Sequence, residues 1–221
     1  MTYPEFISAH GPRLLDGTLV TIQQTILAAI LAVLIALTFG MMKISPLRPV
    51  RALATVYIEV FRGTSLLVQL YWIFFVLPLF GLTIDKFTAG FVAVGMNLGA
   101  YGAEVVRGAI QSVPRGQWEA GVALNLSPAR RMWRIILPQA LVIMLPAWGN
   151  LMIEVLKGTA LVAMISVADL MFAARQINGT TYLSAQVFGT ALVIYYVLAR
   201  FGITPFMRWL ERFVARRMGR V

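Results

Sequence analysis

Long runs without charged residues constrain this chain more than any other feature. The run from Leu19 to Met42 contains no Asp, Glu, Lys or Arg, and a helix needs about 20 mostly apolar residues to cross the hydrocarbon core of a bilayer. The whole chain is 59% hydrophobic and 13% charged, whereas a soluble domain of this size carries about 25% charged residues. The sequence therefore predicts an integral membrane protein of the all-α class.

The distribution of apolar runs predicts five transmembrane helices in a single domain covering residues 1–221. Their expected bounds are about residues 19–42, 63–84, 87–110, 135–157 and 183–206. Residues 158–168 are also apolar but are too few to cross the membrane. We expect a re-entrant or interfacial piece there, covered by the rest of the protein.

Residues 51–62, just before the second predicted span, form an amphipathic segment. Leu53, Val56 and Val60 recur at helical spacing. Glu59 and Arg62 lie three residues apart, the spacing of ion-paired neighbours on a helix. This pattern predicts an elbow helix in the plane of the membrane interface. The alternative is that the segment only lengthens the second span.

Lysine and arginine are distributed unevenly among the connecting segments. Thirteen fall on one side of the five predicted spans and four on the other, with Arg62 and Arg200 at span edges. Because short cytoplasmic loops are rich in Lys and Arg, we expect the N-terminus outside and the C-terminus in the cytoplasm. The richer side has Lys43, Arg48, Arg51, Arg107, Arg115, Arg130, Arg131, Arg134, Arg208, Arg212, Arg216, Arg217 and Arg220, and the other has Arg13, Lys86, Lys157 and Arg175.

The longest predicted cytoplasmic loop, at residues 112–134, contains residues that typically start and end two short helices. Ser112 and Pro114 are expected to start the first, and Asn125 to end it, because Asn is the usual substitute for Gly at a left-handed helix end. Ser127 followed by Pro128 predicts the start of the second helix. Pro138 is expected to mark the turn into the fourth span. The residues alone predict either a protruding helix-turn-helix that binds a soluble partner or a loop that contacts only lipid headgroups.

The same loop resembles the EAA loop of bacterial binding-protein-dependent ABC importers. That family pattern is Glu-Ala-Ala, three residues, Gly, nine residues, then Ile-x-Leu-Pro. This chain has Glu119-Ala120-Gly121, three residues, Asn125, nine residues, then Ile135-Ile136-Leu137-Pro138. The resemblance to the polar-amino-acid permeases extends through Tyr57–Leu70, Asn97–Ala120, Leu137–Asn150 and Leu156–Val162. The sequences of residues 122–138 and 149–162 most resemble those of ectoine and hydroxyectoine importers.

The resemblance implies a five-span permease of the type I fold in a bacterial inner membrane. It implies a second permease subunit, two cytoplasmic ATPase subunits that bind ATP and Mg²⁺, and a periplasmic or lipid-anchored solute-binding protein. The small Gly121 is expected to let the first loop helix approach the ATPase closely. The residues expected to contact the ATPase are Glu119, Ala120, Gly121, Asn125, Leu126, Ser127 and Pro128.

Polar residues inside the spans are candidates for a solute pathway. Asn97, Tyr101 and Glu104 share one face of the third span, and polar groups in membrane helices usually face the bundle interior or a cavity. Glu154 and Lys157 offer opposite charges to a zwitterion, and the segment beginning near Thr159 resembles the broken helices of transporters. The alternatives are interhelical hydrogen bonds, a Glu104–Arg107 pair, and a surface ion pair of little energetic value.

Several classes of function are disfavoured by what the sequence lacks. There is no Gly-x-x-x-x-Gly-Lys-Ser/Thr loop, so any ATP hydrolysis must come from another chain. The chain has no cysteine and one histidine, His10, which gives no pattern for a metal site. The formal net charge of +10 is explained by membrane topology rather than by a nucleic-acid partner. The alternative function, a membrane enzyme acting on lipid, would need clustered acidic or histidine residues.

Overall fold

The computed structural model describes residues 2–217, and the regular structure in that range is entirely helical. Four helices are long and apolar enough to cross a membrane, and the bent pair Arg48–Gly63 with Leu66–Phe80 meets the same criterion only when its two helices are taken together. We name the elements in chain order: first span (Tyr3–Lys43), elbow helix (Arg48–Gly63), second span (Leu66–Phe80), third span (Lys86–Gln111), loop helix (Arg115–Ala123), fourth span (Pro128–Ile165), cross helix (Leu170–Thr181) and fifth span (Ser184–Arg216). Of the basic residues used above to predict orientation, Arg220 lies outside the described residues.

The first and third spans form the centre of the bundle, where small residues allow close contact. Ala28, Ala32 and Ala36 of the first span are fully buried. A Cβ built on Gly99 of the third span would lie 2.7 Å from Ile35 Cγ2. In lipid, where apolar side chains gain little from leaving the solvent, such close backbone approach is a main source of helix association.

The elbow helix and the second span meet at a bend of 106°. Thr64, between them, has an extended backbone with φ of −118° and ψ of 152°. The amphipathic segment is therefore a separate elbow helix and does not lengthen the second span. The second span is shorter than the predicted residues 63–84, because it ends at Phe80 and Gly81 follows in the left-handed conformation with φ of +83°.

The fourth span is one helical run from Pro128 to Ile165, longer at both ends than the predicted residues 135–157. Pro138 lies close to the start of the α-helix Leu137–Thr159 and does not turn the chain, which corrects the expectation for this residue. The expected re-entrant piece at residues 158–168 is also wrong. The chain stays helical through a 3₁₀ segment, Ala160–Ile165, and leaves the axis only at Ser166, where φ is +60°.

A cap of helices lies at the end of the bundle opposite the loop helix. The first span begins at Tyr3, well before predicted residue 19, and its added turns contact the cross helix. Thr21 Oγ1 accepts a hydrogen bond from the Leu170 backbone N–H at 3.1 Å. The sequence did not predict this cap, because residues 3–18 and 170–181 mix polar with apolar side chains and fail a hydropathy criterion.

Candidate functional site

The loop helix ends in a hydrogen-bonded motif built around Asn125. This residue has φ of +52°, as its position in the sequence predicts. Its N–H donates to the Val122 carbonyl at 2.8 Å, and the Leu126 N–H donates to the Gly121 carbonyl at 3.1 Å. These two bonds define a Schellman motif, so Asn125 serves here as glycine commonly does and fixes the turn.

The chain restarts as a helix at Ser127. The Ser127 hydroxyl accepts a bond from the Arg130 N–H at 3.4 Å, and Pro128 occupies the first helical position. This second loop helix continues through a π-helical turn, Met132–Ile136, into the rest of the fourth span. Ser112, in contrast, does not start the loop helix. It ends the third span, where its hydroxyl donates to the Gly108 carbonyl.

Gly121 faces the interior of this chain rather than a partner. A Cβ built on it would lie 2.8 Å from Cγ and Cδ of Arg131 and 3.3 Å from Ile135 Cδ1. The Arg131 guanidinium in turn lies 5.8 Å from the centre of the Trp118 ring, a cation–π distance. The expectation that Gly121 allows close approach of an ATPase is therefore wrong. Its size lets the loop helix dock on the base of the fourth span.

The outer face of the loop joins charge with exposed apolar surface. Glu119 and Ala120 are exposed. Val122 and Leu124 of the loop and Trp133 at the start of the fourth span are between 60% and 70% exposed. Sequence reasoning did not select these three residues. Helical spacing would not have found Val122, because it lies four residues after the inward-facing Trp118 and so shares its side of an ideal helix.

A cavity of about 570 Å³ between the second, third and fourth spans brings together four of the six predicted pathway residues, without Glu104 and Thr159. Asn97 and Tyr101 form one wall, and Glu154 and Lys157 form another. Thr159 does not reach the cavity. It is fully buried, and its hydroxyl donates to the Leu156 carbonyl at 2.7 Å. The remaining lining residues are Leu66, Leu98, Leu151, Gly158 and Leu161.

The amide and the phenol on the third span are tied to the elbow. Asn97 Nδ2 donates to the Phe61 carbonyl at 3.0 Å and to Gln69 Oε1 at 3.1 Å. The Arg62 guanidinium lies 5.3 Å from the centre of the Tyr101 ring. These contacts support the interhelical role of both residues. Because the same two residues line the cavity, they also remain candidates for the solute pathway.

The charged pair on the fourth span is open to the cavity. Lys157 Nζ lies 2.7 Å from Glu154 Oε1, and the two side chains are 62% and 55% exposed. At that exposure the pair adds little to stability. Both groups therefore remain available for exchange with a ligand of opposite charges.

A second charged cluster joins three helices near the loop end of the bundle. Glu104 contacts Arg107 at 2.7 Å, as the sequence suggests, and also Lys43 of the first span at 2.6 Å. Glu59 lies 3.7 Å from the same Lys43 instead of pairing with Arg62. The cluster fixes the elbow helix against the first and third spans, and it lies outside the cavity.

Comparisons with known proteins identify the fold and the family. Residues 26–219 match the family described as binding-protein-dependent transport system inner membrane component. The chain belongs to this family. It is 44% identical over 209 residues to the probable amino-acid ABC transporter permease protein y4tF of Sinorhizobium fredii, covering 92% of this chain and 87% of the relative. It is 37% identical to the L-cystine transport system permease protein TcyB of Bacillus subtilis, covering 92% and 82%.

Solved structures agree with this assignment. The chain matches the crystal structure of an amino acid ABC transporter with histidines at a TM-score of 0.87 and 37% identity, covering 96% of this chain and 98% of the other. The inward-facing MetNI methionine ABC transporter shares the fold at a TM-score of 0.78 and 21% identity, covering 97% and 99%.

The permease is a multi-pass inner-membrane component of a transporter and not an enzyme. The lipid-enzyme alternative finds no support among its relatives. Membership of this family implies ATP-binding subunits and a solute-binding protein as partners.

Proposed function

We propose that this permease forms half of the translocation pathway of an ATP-driven importer for amino acids or amino-acid-like zwitterions. The observation that carries the proposal is the cavity of about 570 Å³ that opens onto Glu154 and Lys157. Sites for small ligands commonly span about 300–1,000 Å³, so an amino acid fits with space for its side chain. Relatives named as amino-acid, cystine, arginine and glutamine permeases support this solute class.

The charges in the cavity suit a zwitterion. A solute ammonium replaces Lys157 as the partner of Glu154, and a solute carboxylate replaces Glu154 as the partner of Lys157. Because the pair contributes little to stability when it is closed, exchanging it for two equivalent bonds to the solute costs little. Weak net binding suits transport, since the solute must also leave.

Solute uptake by the assembled transporter tests this role. We expect Lys157→Gln and Glu154→Gln each to raise the KM for a zwitterionic amino acid about 5- to 10-fold, the loss of roughly 1 kcal/mol of charge-assisted binding. Their ATPase activity without solute should match wild type. Lys86→Gln, an exposed charge outside the cavity, serves as the control. Unchanged KM in both cavity variants rules out the proposed contact.

The proposed solute extends to ectoine and hydroxyectoine, cyclic zwitterions with a carboxylate and a delocalised cation. The basis is the similarity of residues 149–162 to importers of these solutes. Competition of ectoine, cystine, arginine and glutamine against uptake of a labelled amino acid by the assembled transporter separates the candidates. Failure of ectoine to compete would remove the subtype and leave the amino-acid proposal intact.

The proposed assembly contains two permease subunits, identical or different, two ATPase subunits and a periplasmic or lipid-anchored binding protein. ATP and Mg²⁺ bind to the ATPase subunits. The loop residues Glu119, Ala120, Asn125, Leu126, Ser127 and Pro128 form the contact with an ATPase, with Gly121 supporting them from inside. The uneven distribution of basic residues supports an outside N-terminus and a cytoplasmic C-terminus.

A further inference from the structure

A groove between the fourth and fifth spans shares no lining residue with the proposed solute cavity. Its volume is about 340 Å³. Val142 and Pro146 of the fourth span form an apolar wall, and Glu211, Arg212 and Arg216 of the fifth span form a charged wall. Both signs of charge therefore lie beside an apolar surface on the outside of the bundle.

The charged wall lies at the level of lipid headgroups. The fifth span starts at Ser184, and at about 1.5 Å per residue Arg212 lies about 40 Å further along the helix axis. The hydrocarbon core is only about 30 Å thick. Met207 packs beside Gly149 of the fourth span, 3.7 Å from the position of a Cβ there. Arg212 and Arg216 are thus about one and a half and two and a half turns beyond the apolar contact, toward the loop end of the bundle.

The charges in the groove are not neutralised within the described part of the chain. Among the side chains described, those of residues 2–216, no carboxylate lies within ion-pair distance of Arg212 or Arg216, and no basic group lies within that distance of Glu211. Arg212 Nε donates to the Arg208 carbonyl at 3.1 Å, which orients its guanidinium. On the same helix, the rings of Phe206 and Trp209 are stacked with their centres 6.1 Å apart, and exposed aromatic residues of this kind mark a membrane interface.

We propose that this groove binds the phosphoethanolamine headgroup of a membrane phospholipid. The phosphate bonds to Arg212 and Arg216, since guanidinium groups match phosphate oxygens in a bidentate geometry. The ammonium bonds to Glu211, and an acyl chain follows Val142 and Pro146. A purely anionic headgroup leaves Glu211 facing a negative charge. A phosphocholine headgroup has no N–H to donate to Glu211. The combination of two guanidinium groups and one carboxylate therefore selects a primary amine.

Native mass spectrometry of the assembled transporter tests this site, because it detects the lipids that remain bound to the intact complex. Phosphatidylethanolamine, phosphatidylglycerol and phosphatidylcholine with the same acyl chains are added to delipidated complex. We expect the wild type to retain phosphatidylethanolamine about fivefold better than either of the others, the effect of one additional charged contact of about 1 kcal/mol. Glu211→Gln should abolish that preference, and Arg212→Gln with Arg216→Gln should lower retention of all three lipids.

Arg208→Gln is the matched control, since Arg208 is exposed on the same helix and does not line the groove. It should leave the lipid profile unchanged. The proposal is overturned if the wild type shows no preference for phosphatidylethanolamine, which is the result expected when another subunit covers the groove. It is equally overturned if Arg208→Gln and the groove variants reduce lipid retention to the same extent, because the basic surface would then act without a defined site.

Discussion

At the scale of single residues, glycine decides how closely three spans approach one another. A Cβ built on Gly102 would lie 2.8 Å from Ala36 Cβ and 2.8 Å from Trp148 Cη2. We expect Gly102→Ala to destabilise the protein by about 1–3 kcal/mol, as overpacking of a core does, measured as a lower thermal unfolding temperature in detergent. Gly108→Ala on the same helix, with nothing within 4 Å, should have little effect. Equal melting temperatures for the two variants would contradict this packing.

Asp169, at the start of the cross helix, gives the fold a predictable dependence on pH. Its Oδ1 accepts a bond from the Phe172 N–H at 2.8 Å, and burial raises the pKa of its carboxyl to about 6, from an ordinary value of 3.8. The folded state therefore binds this proton more tightly than the unfolded state does. Stability falls as pH rises between these two values and stays low above them.

Asp169→Asn keeps an oxygen for the helix cap and removes the charge. We expect the variant to melt at a higher temperature than wild type near pH 7.5, because no buried charge has to form. The difference should shrink as the pH approaches about 5. Thermal unfolding at the two pH values measures it, and a variant that melts below wild type at pH 7.5 would refute the assignment of the buried charge.

At the scale of elements, the fourth span connects the loop to the cavity without a break. The helical run starts at Pro128 in the loop and carries Glu154 and Lys157 at the cavity. From Arg134 to Glu154 the distance along a helix is about 30 Å. If the loop contacts the ATPase as proposed, its displacement would move one wall of the cavity directly, without relay through intermediate side chains.

The exposed face of the loop helix gives the sharpest test of that connection. Glu119→Lys reverses an exposed charge, and Leu124→Asp places a charge in exposed apolar surface. Both should leave the loop folded. Each should weaken binding of the ATPase by roughly 2 kcal/mol or more, the cost typical of a central interface residue, and so reduce the copurifying ATPase and solute uptake together. Gly116→Ala, with no atom within 4 Å, is the control. A substitution at Gly121 would not be informative, because it would displace Arg131 within the same chain. Normal ATPase recovery and uptake in Glu119→Lys and Leu124→Asp would exclude this face as the contact.

The sequence predicted the features that depend on neighbouring residues and missed those that depend on contacts between distant ones. The turn at Asn125 and the helix start at Ser127 depend on neighbouring residues, and both predictions were confirmed. The first-span residues before Thr18 and the cross helix escaped prediction, because neither is a long apolar run. The contact of Lys43 with Glu104 joins residues 61 positions apart, and no pattern in one sequence encodes that pairing. The inward direction of Gly121 depends in the same way on where Arg131 lies.

At the scale of the whole molecule, the orientation predicted from the basic residues is open to direct measurement. The natural chain has no cysteine, so a single introduced thiol reports its own location. We expect Ala9→Cys to react with an impermeant maleimide added outside cells, and Arg115→Cys, in the loop, to react only after the membrane is opened. Both positions are exposed. Labelling of both from the same side would contradict the orientation.

The central claim is that this permease moves a zwitterionic solute with energy from ATP hydrolysed by another subunit. The most direct test is accumulation of a labelled amino acid in proteoliposomes that contain the permease, its ATPase and its binding protein. The account predicts accumulation against a gradient only when ATP, Mg²⁺ and all three proteins are present, and no ATP hydrolysis by the permease alone. Hydrolysis by pure permease, or ATP turnover by the full assembly without accumulation of any amino acid or ectoine, would contradict it.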